Sequence, residues 1–205
     1  MQKSSLSFKE AWRGDPVASS VEWEPLLKGG FSFCTHRLYR YGSRVATRVT
    51  MAAKIFCWFF IVLGGTVAIA LVFIMSNPDL TPESPGLIDL VLFPAAALSL
   101  AILGGGFLVW LQKKCLFFDR RGIYASREMI CKPEDVYSIQ LLRELVFNVS
   151  GDGRSYYSFE MNLVLNDASR KNVLDHGTKS VVREDARRLA RYLNVPVWDA
   201  IDEPM

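Results

Sequence analysis

The chain has 205 residues, half of them apolar, with a net charge of +3 and a pI near 8.7. That length bounds it to one or two domains. So mild a basic excess argues against nucleic acid as a partner, and four cysteines without CxxC spacing signal neither a zinc site nor a redox motif.

Residues 1–53 read as a polar arm. Gly29-Gly30 reads as a turn that sends Phe31 and Phe33 to one side of a strand. Arg37, Arg40, Arg44 and Arg48 recur at spacings of three, four and four, which predicts one basic face on an amphipathic helix. Leu38, Tyr41, Val45 and Val49 fall on another face. A basic segment of this kind just before an apolar run is expected to lie on an anionic leaflet. The alternative is a set of charges that only fixes topology. Gly42 counts against the helix. His36 stands in a polar run with no carboxylate or cysteine at ligand spacing, so a metal role is not expected.

Residues 54–76 and 87–112 read as transmembrane helices. Ile55–Met75 carries no charge, and the second stretch carries only Asp89 near its start. About 20 apolar residues suffice to cross a bilayer. The first run begins after Lys54, too deep for a cleaved signal peptide, so the N-terminal segment is expected to be retained. Residues 1–54 carry nine Lys/Arg, and Lys113, Lys114, Arg120 and Arg121 follow the second span. The connector, residues 77–86, has no basic residue. The positive-inside rule then predicts both termini in the cytoplasm and the connector outside. Trp58 and Trp110 fall near the cytoplasmic ends, where indole rings favour the interface. Gly64-Gly65 and Gly104-Gly105-Gly106 lack the strand, Lys and Ser/Thr of a phosphate loop. Small residues let membrane helices approach closely, so all five are expected on the packing faces of a helical hairpin or against another protein's helices.

Residues 113–205 read as a separate soluble domain of six or seven antiparallel strands closed by a helix. CLFFD, IYAS, EMICK, VYSIQLL, LVFNVS, SYYSFEMNLVLN and KNVLD are the strand candidates, with turns at Arg120-Arg121-Gly122, Lys132–Asp135 and Gly151-Asp152-Gly153. Tyr157, Phe159, Met161, Leu163 and Leu165 share one face. In SVVREDARRLARYLNV, Val182, Ala186, Leu189 and Leu193 recur at helical spacing, with Arg183, Arg187 and Arg191 on another face. Ser180 is the expected N-cap, and Pro196 the stop. Asp175-His176-Gly177 raises the question of an active site. No nucleophile or metal ligand accompanies it in the sequence, so a turn that anchors the helix is the simpler reading. A contact with a ligand, lipid or partner through His176 or the arginines is the alternative.

The stretch FDRRGIYASREMICKPEDVYSIQ resembles the start of bacterial pleckstrin-homology-like (PH-like) domains that follow transmembrane hairpins, a likeness spanning about 40% of the chain. What the resemblance implies is a binding or scaffolding module rather than a catalyst. Arg120-Arg121 does not match the basic pair of phosphoinositide-binding members, so that activity is not carried over. The expected fold is an α+β membrane protein: a transmembrane hairpin, then an antiparallel β PH-like domain with a C-terminal helix. The expected function is a non-catalytic adaptor or accessory subunit of the inner membrane that needs no cofactor. Its partners would be the lipid bilayer and another membrane-associated protein or a second copy. A membrane enzyme, or a small regulator acting through its hairpin, remain alternatives.

Overall fold

The computed structural model describes residues 12–30, 32–77, 86–147 and 155–203. The chain forms two compact units: Met51–Lys113, and Met1–Thr50 together with Lys114–Met205.

The first unit is a pair of helices, α1 (Met51–Met75) and α2 (Leu87–Lys113). Both are long and apolar enough to cross a membrane. A Cβ placed on Gly64 would meet the Ala97 carbonyl oxygen at 2.6 Å, and one on Gly104 would meet the Cys57 oxygen at 2.9 Å. The contacts run in opposite order along the two chains, so the helices are antiparallel. Small residues make the seam: Ala53, Cys57, Gly64 and Ala68 on α1, and Ala97 and Gly104 on α2. Steps of four and seven residues keep such a seam on one side of each helix. Large apolar side chains of the described residues point outward elsewhere, as at Ile55, Phe59, Ile69, Val91 and Ile102. Only 17% of the most apolar window of each helix is buried, whereas a soluble core helix would be mostly covered. The Thr66 and Ser99 hydroxyls donate to carbonyls of their own helix, those of Val62 and Ala96, so neither requires water.

The glycine clusters do not act as blocks, contrary to expectation. A Cβ on Gly65, Gly105 or Gly106 would meet nothing within 4 Å. Successive helical residues are about 100° apart, so adjacent glycines cannot all face one partner.

The second unit holds two sheets and α3 (Lys179–Leu193). The five-stranded sheet runs β1 (His36–Tyr41), β2 (Arg44–Val49), β3 (Leu116–Asp119), β4 (Gly122–Ala125) and β5 (Glu128–Cys131), in that order. The four-stranded sheet has β6 (Val136–Phe147), β7 (Ser155–Leu165), β8 (Arg170–His176) and β9 (Val197–Asp199), ordered β8-β7-β6-β9. The arm is therefore not separate from the C-terminal domain. The expected basic helix is the β1–β2 hairpin, turned by Gly42-Ser43 with Gly42 at φ +56° and Tyr41 opposite Arg44. A glycine first in a two-residue loop suits that turn. β2 then pairs with β3, Val45 opposite Phe118, so the helical pair is an insertion between neighbouring strands. Leu116 donates its N–H to Thr47 Oγ1 at 2.7 Å, tying the two sides of the insertion.

The strands from Leu116 to His176 fall where the alternation predicts, except that β6 is one unbroken strand. β9, which follows α3 and lies parallel to β6, was not anticipated. The expected turn at residues 151–153 lies outside the described residues, as does Phe31; residue 33 is in no strand. Val182, Ala186 and Leu189 of α3 seal the core with Phe118, Ile139 and Met161. The helix starts two residues earlier than expected, with Thr178 and not Ser180 at the N-cap position, and ends on Asn194 in the left-handed conformation.

Residues 12–30 lie across the outer face of the four-stranded sheet. Glu160, 3% exposed, accepts the N–H groups of Leu26 and Leu27, both at 2.9 Å. Glu144 does the same for Gly29 at 2.9 Å and Gly30 at 3.2 Å. Beside them Trp12, Trp23, Tyr137 and the fully buried Trp198 form a second, aromatic core.

Leucine at position 64 or 104 is expected to lower the thermal stability of the full chain in detergent by about 1–3 kcal/mol through overpacking against backbone. Leucine at 65 or 106 is expected to leave the unfolding midpoint unchanged.

Candidate functional site

Three places in the β unit concentrate polar chemistry: the Cys34–His176 contact, the carboxylates under the 12–30 segment, and a cleft lined by arginines.

Gly177 is held so close to residue 32 that a Cβ there would lie 2.0 Å from the Ser32 oxygen. This approach drives His176 into the interior, where it is fully buried. Thr178 donates its backbone N–H to Nδ1 at 3.3 Å, which leaves the proton on Nε2. Nε2 faces Cys34 Sγ at 2.9 Å, and the thiol in turn donates to the His36 carbonyl at 3.3 Å. Burial, then the Arg37 and His36 charges, push the imidazole down to about 4. Burial pushes the thiol up to about 11, against the pull of Arg37. A cysteine nucleophile needs an imidazole that accepts its proton and a thiolate held at low pKa. Here the ring donates and the thiol stays neutral, so the contact ties Cys34 to the entry of α3. His176 is out of reach of lipid or a partner.

Asp185, in the second turn of α3, is fully buried. It accepts Arg37 Nε and the Leu38 N–H, each at 3.1 Å. Burial raises its pKa, while the Leu38 N–H and Arg37 pull the other way. Arg37 is thus a clamp between β1 and α3. Arg44 pairs with Asp119 at 2.9 Å, and Arg48 lies over the Tyr41 ring, 4.3 Å from its centre. Arg183 is held by Asp199 at 2.6 Å and Asp202 at 2.8 Å. The four arginines of the hairpin therefore do not share a face. Strand alternation puts Arg40 on the side opposite Arg37, Arg44 and Arg48.

Arg40 instead joins residues from elsewhere in the chain. A cleft of about 670 Å³ opens between the β1–β2 turn, the β3–β4 turn and the second half of α3. Arg40, Arg120, Arg188 and Arg191 line it, over a floor that includes Leu38, Val45 and Leu193. Arg40 Nε and Arg191 Nε donate only to main-chain carbonyls, those of Gly42 and Arg187. Arg188 pairs with Glu184 along the helix. Asp119 is the cleft's carboxylate, and it is engaged by Arg44. The Tyr192 hydroxyl, bonded to the Ser43 carbonyl at 3.0 Å, stands where these charges converge. Burial and then Asp119 raise its pKa; Arg120, Arg40 and Arg44 oppose them. Arg187 lines a neighbouring hollow and not the cleft. Arg120, read from sequence as a topology charge and part of a turn, and Arg188 are cleft residues that the sequence reading did not name as site residues. The Arg-Arg-Gly setting of Arg120 marked the turn, but nothing local marks its convergence with α3.

Under the 12–30 segment, Asp175 faces Glu160 across the strands. Burial, then Glu160, push its carboxyl up to about 6, against a hydrogen bond from Asn172. A carboxyl whose pKa is higher folded than unfolded holds its proton more tightly in the native state. Its contribution to stability is full below about pH 4 and is lost as the pH rises through about 6. Asp175→Asn is expected to remove that loss. Denaturation of wild type and variant at pH 4 and pH 7.5 should show the variant gaining up to about 3 kcal/mol at the higher pH only.

No family model matches the sequence, and no curated protein matches it significantly.

Proposed function

We propose that the protein is a two-span inner-membrane protein with both termini in the cytoplasm, acting as a non-catalytic adaptor or accessory subunit through a tethered PH-like β unit. The arginine cleft carries this reading, because it joins four arginines to an apolar floor. The membrane assignment is supported by the outward apolar surface of α1 and α2. Chain segments on both sides of the helices fold into one β unit, which requires an even number of crossings. The distribution of Lys and Arg supports the cytoplasmic side. An antiparallel five-stranded sheet and a four-stranded sheet that is antiparallel except for its parallel edge strand β9, closed by α3, support the PH-like likeness. β1 and β2 extend that likeness ahead of the segment that carries it in the sequence.

A membrane enzyme draws less support, since the Cys34–His176 contact has its proton on the wrong atom for a nucleophile–base pair. The hairpin-regulator reading is favoured by one observation, the open glycines at 65, 105 and 106.

Photo-crosslinking in native membranes from positions 39, 106 and 193, with mass spectrometry of the adducts, separates these readings. A dominant protein adduct from 39 and 193 is expected. A protein adduct from 106 alone would transfer the function to the helical pair, and lipid adducts alone would overturn the adaptor reading. A cysteine at position 82, and not one at 39, is expected to react with an impermeant thiol reagent in whole cells.

A further inference from the structure

We infer that the arginine cleft takes an acidic segment of a partner protein in which apolar side chains alternate with carboxylates. This rests on the adaptor reading and names the ligand at the same site. The first argument is unspent charge. Among the described residues Arg120 makes no hydrogen bond or ion pair, and Arg40 and Arg191 are given only main-chain carbonyls. A guanidinium offers a planar fork of donors that fits a carboxylate bidentately, and these forks surround one cleft.

The second argument is the floor. Pro133 and Leu193, backed by the buried Leu38 and Val45, offer a phosphate nothing, whereas they would desolvate leucine- or phenylalanine-like side chains set between the charges. At about 670 Å³ the cleft is on the scale of a multi-residue ligand rather than a lone anion.

The test is selection of a random decapeptide library on the full chain in nanodiscs, followed by affinity measurement of the selected peptides. Enrichment of Glu and Asp interleaved with Leu, Phe or Val is expected, with affinity that falls as salt rises. Arg120→Gln and Arg191→Gln should each weaken binding about tenfold, and Arg187→Gln should not. Arg120 holds no other residue, so its variant reports on binding without disturbing the fold. Tryptophan fluorescence from the Trp198 cluster checks this. Failure to select any peptide, selection of neutral or basic peptides, or equal binding to the Arg120→Gln and Arg191→Gln variants would overturn the inference. So would variants that lose binding to phosphatidylglycerol vesicles or inorganic phosphate while keeping the peptide, an outcome that assigns the cleft to phosphate groups. If crosslinks find a partner from other positions, only the ligand assignment falls. If they find none anywhere, the adaptor reading falls with it.

Discussion

The pairing of β2 with β3 is the constraint on which the rest of the structure depends. Val45 and Ala46 meet Phe118 and Phe117 across an insertion made of the whole helical pair. Antiparallel neighbours bring the exit from one strand beside the entry to the next. An insertion at that point must return to where it began, and two antiparallel helices of similar length do so. Without the pairing, β1 and β2 would lose the sheet, Leu38 and Val45 would leave the core, and Arg40 would not stand opposite α3.

Carboxylates hold the second level of organisation. Glu160 and Glu144 together collect four backbone N–H groups from the 12–30 segment. A hydrogen bond to a charged group contributes about 1.5–3 kcal/mol, and a buried charge without such partners is strongly destabilising. Glu160 in particular could not remain in the sheet if the segment were absent, and the segment has no regular structure of its own to satisfy its amides. Each therefore requires the other. Asp185 plays the same part between β1 and α3, where its carboxylate gathers the Leu38 N–H and the Arg37 guanidinium.

The two apolar helices were legible because length and the lack of charge suffice to identify them, and the α+β character was legible from alternation followed by a 3.6-residue period. α3 followed from Val182, Ala186 and Leu189, and the structure buries all three. What escaped the sequence was long-range. The arginines from Arg37 to Arg48 fit a helix by spacing, and Gly42-Ser43 between alternating residues was the better signal for a hairpin. Ser158, Glu160 and Asn162 alternate with the apolar face of β7 and are buried, yet nothing local in the sequence signals that residues 12–30 pack on that side. The glycine clusters were seen as blocks, although helical geometry divides each cluster between seam and outside. The cleft draws on three segments distant in sequence, so only half of its arginines, Arg40 and Arg191, could be singled out in advance.

The split β unit also orders events during synthesis. When β1 and β2 have left the ribosome, the strand that completes their sheet is still unmade, and the whole helical insertion must be translated first. For that interval β2 presents an open edge, and an unpaired hydrophobic edge invites association with other chains. The helices are thus committed before the β unit can close. A chain whose helices do not bring Leu116 back to Thr47 leaves that edge open, so a fault in one unit is displayed by the other.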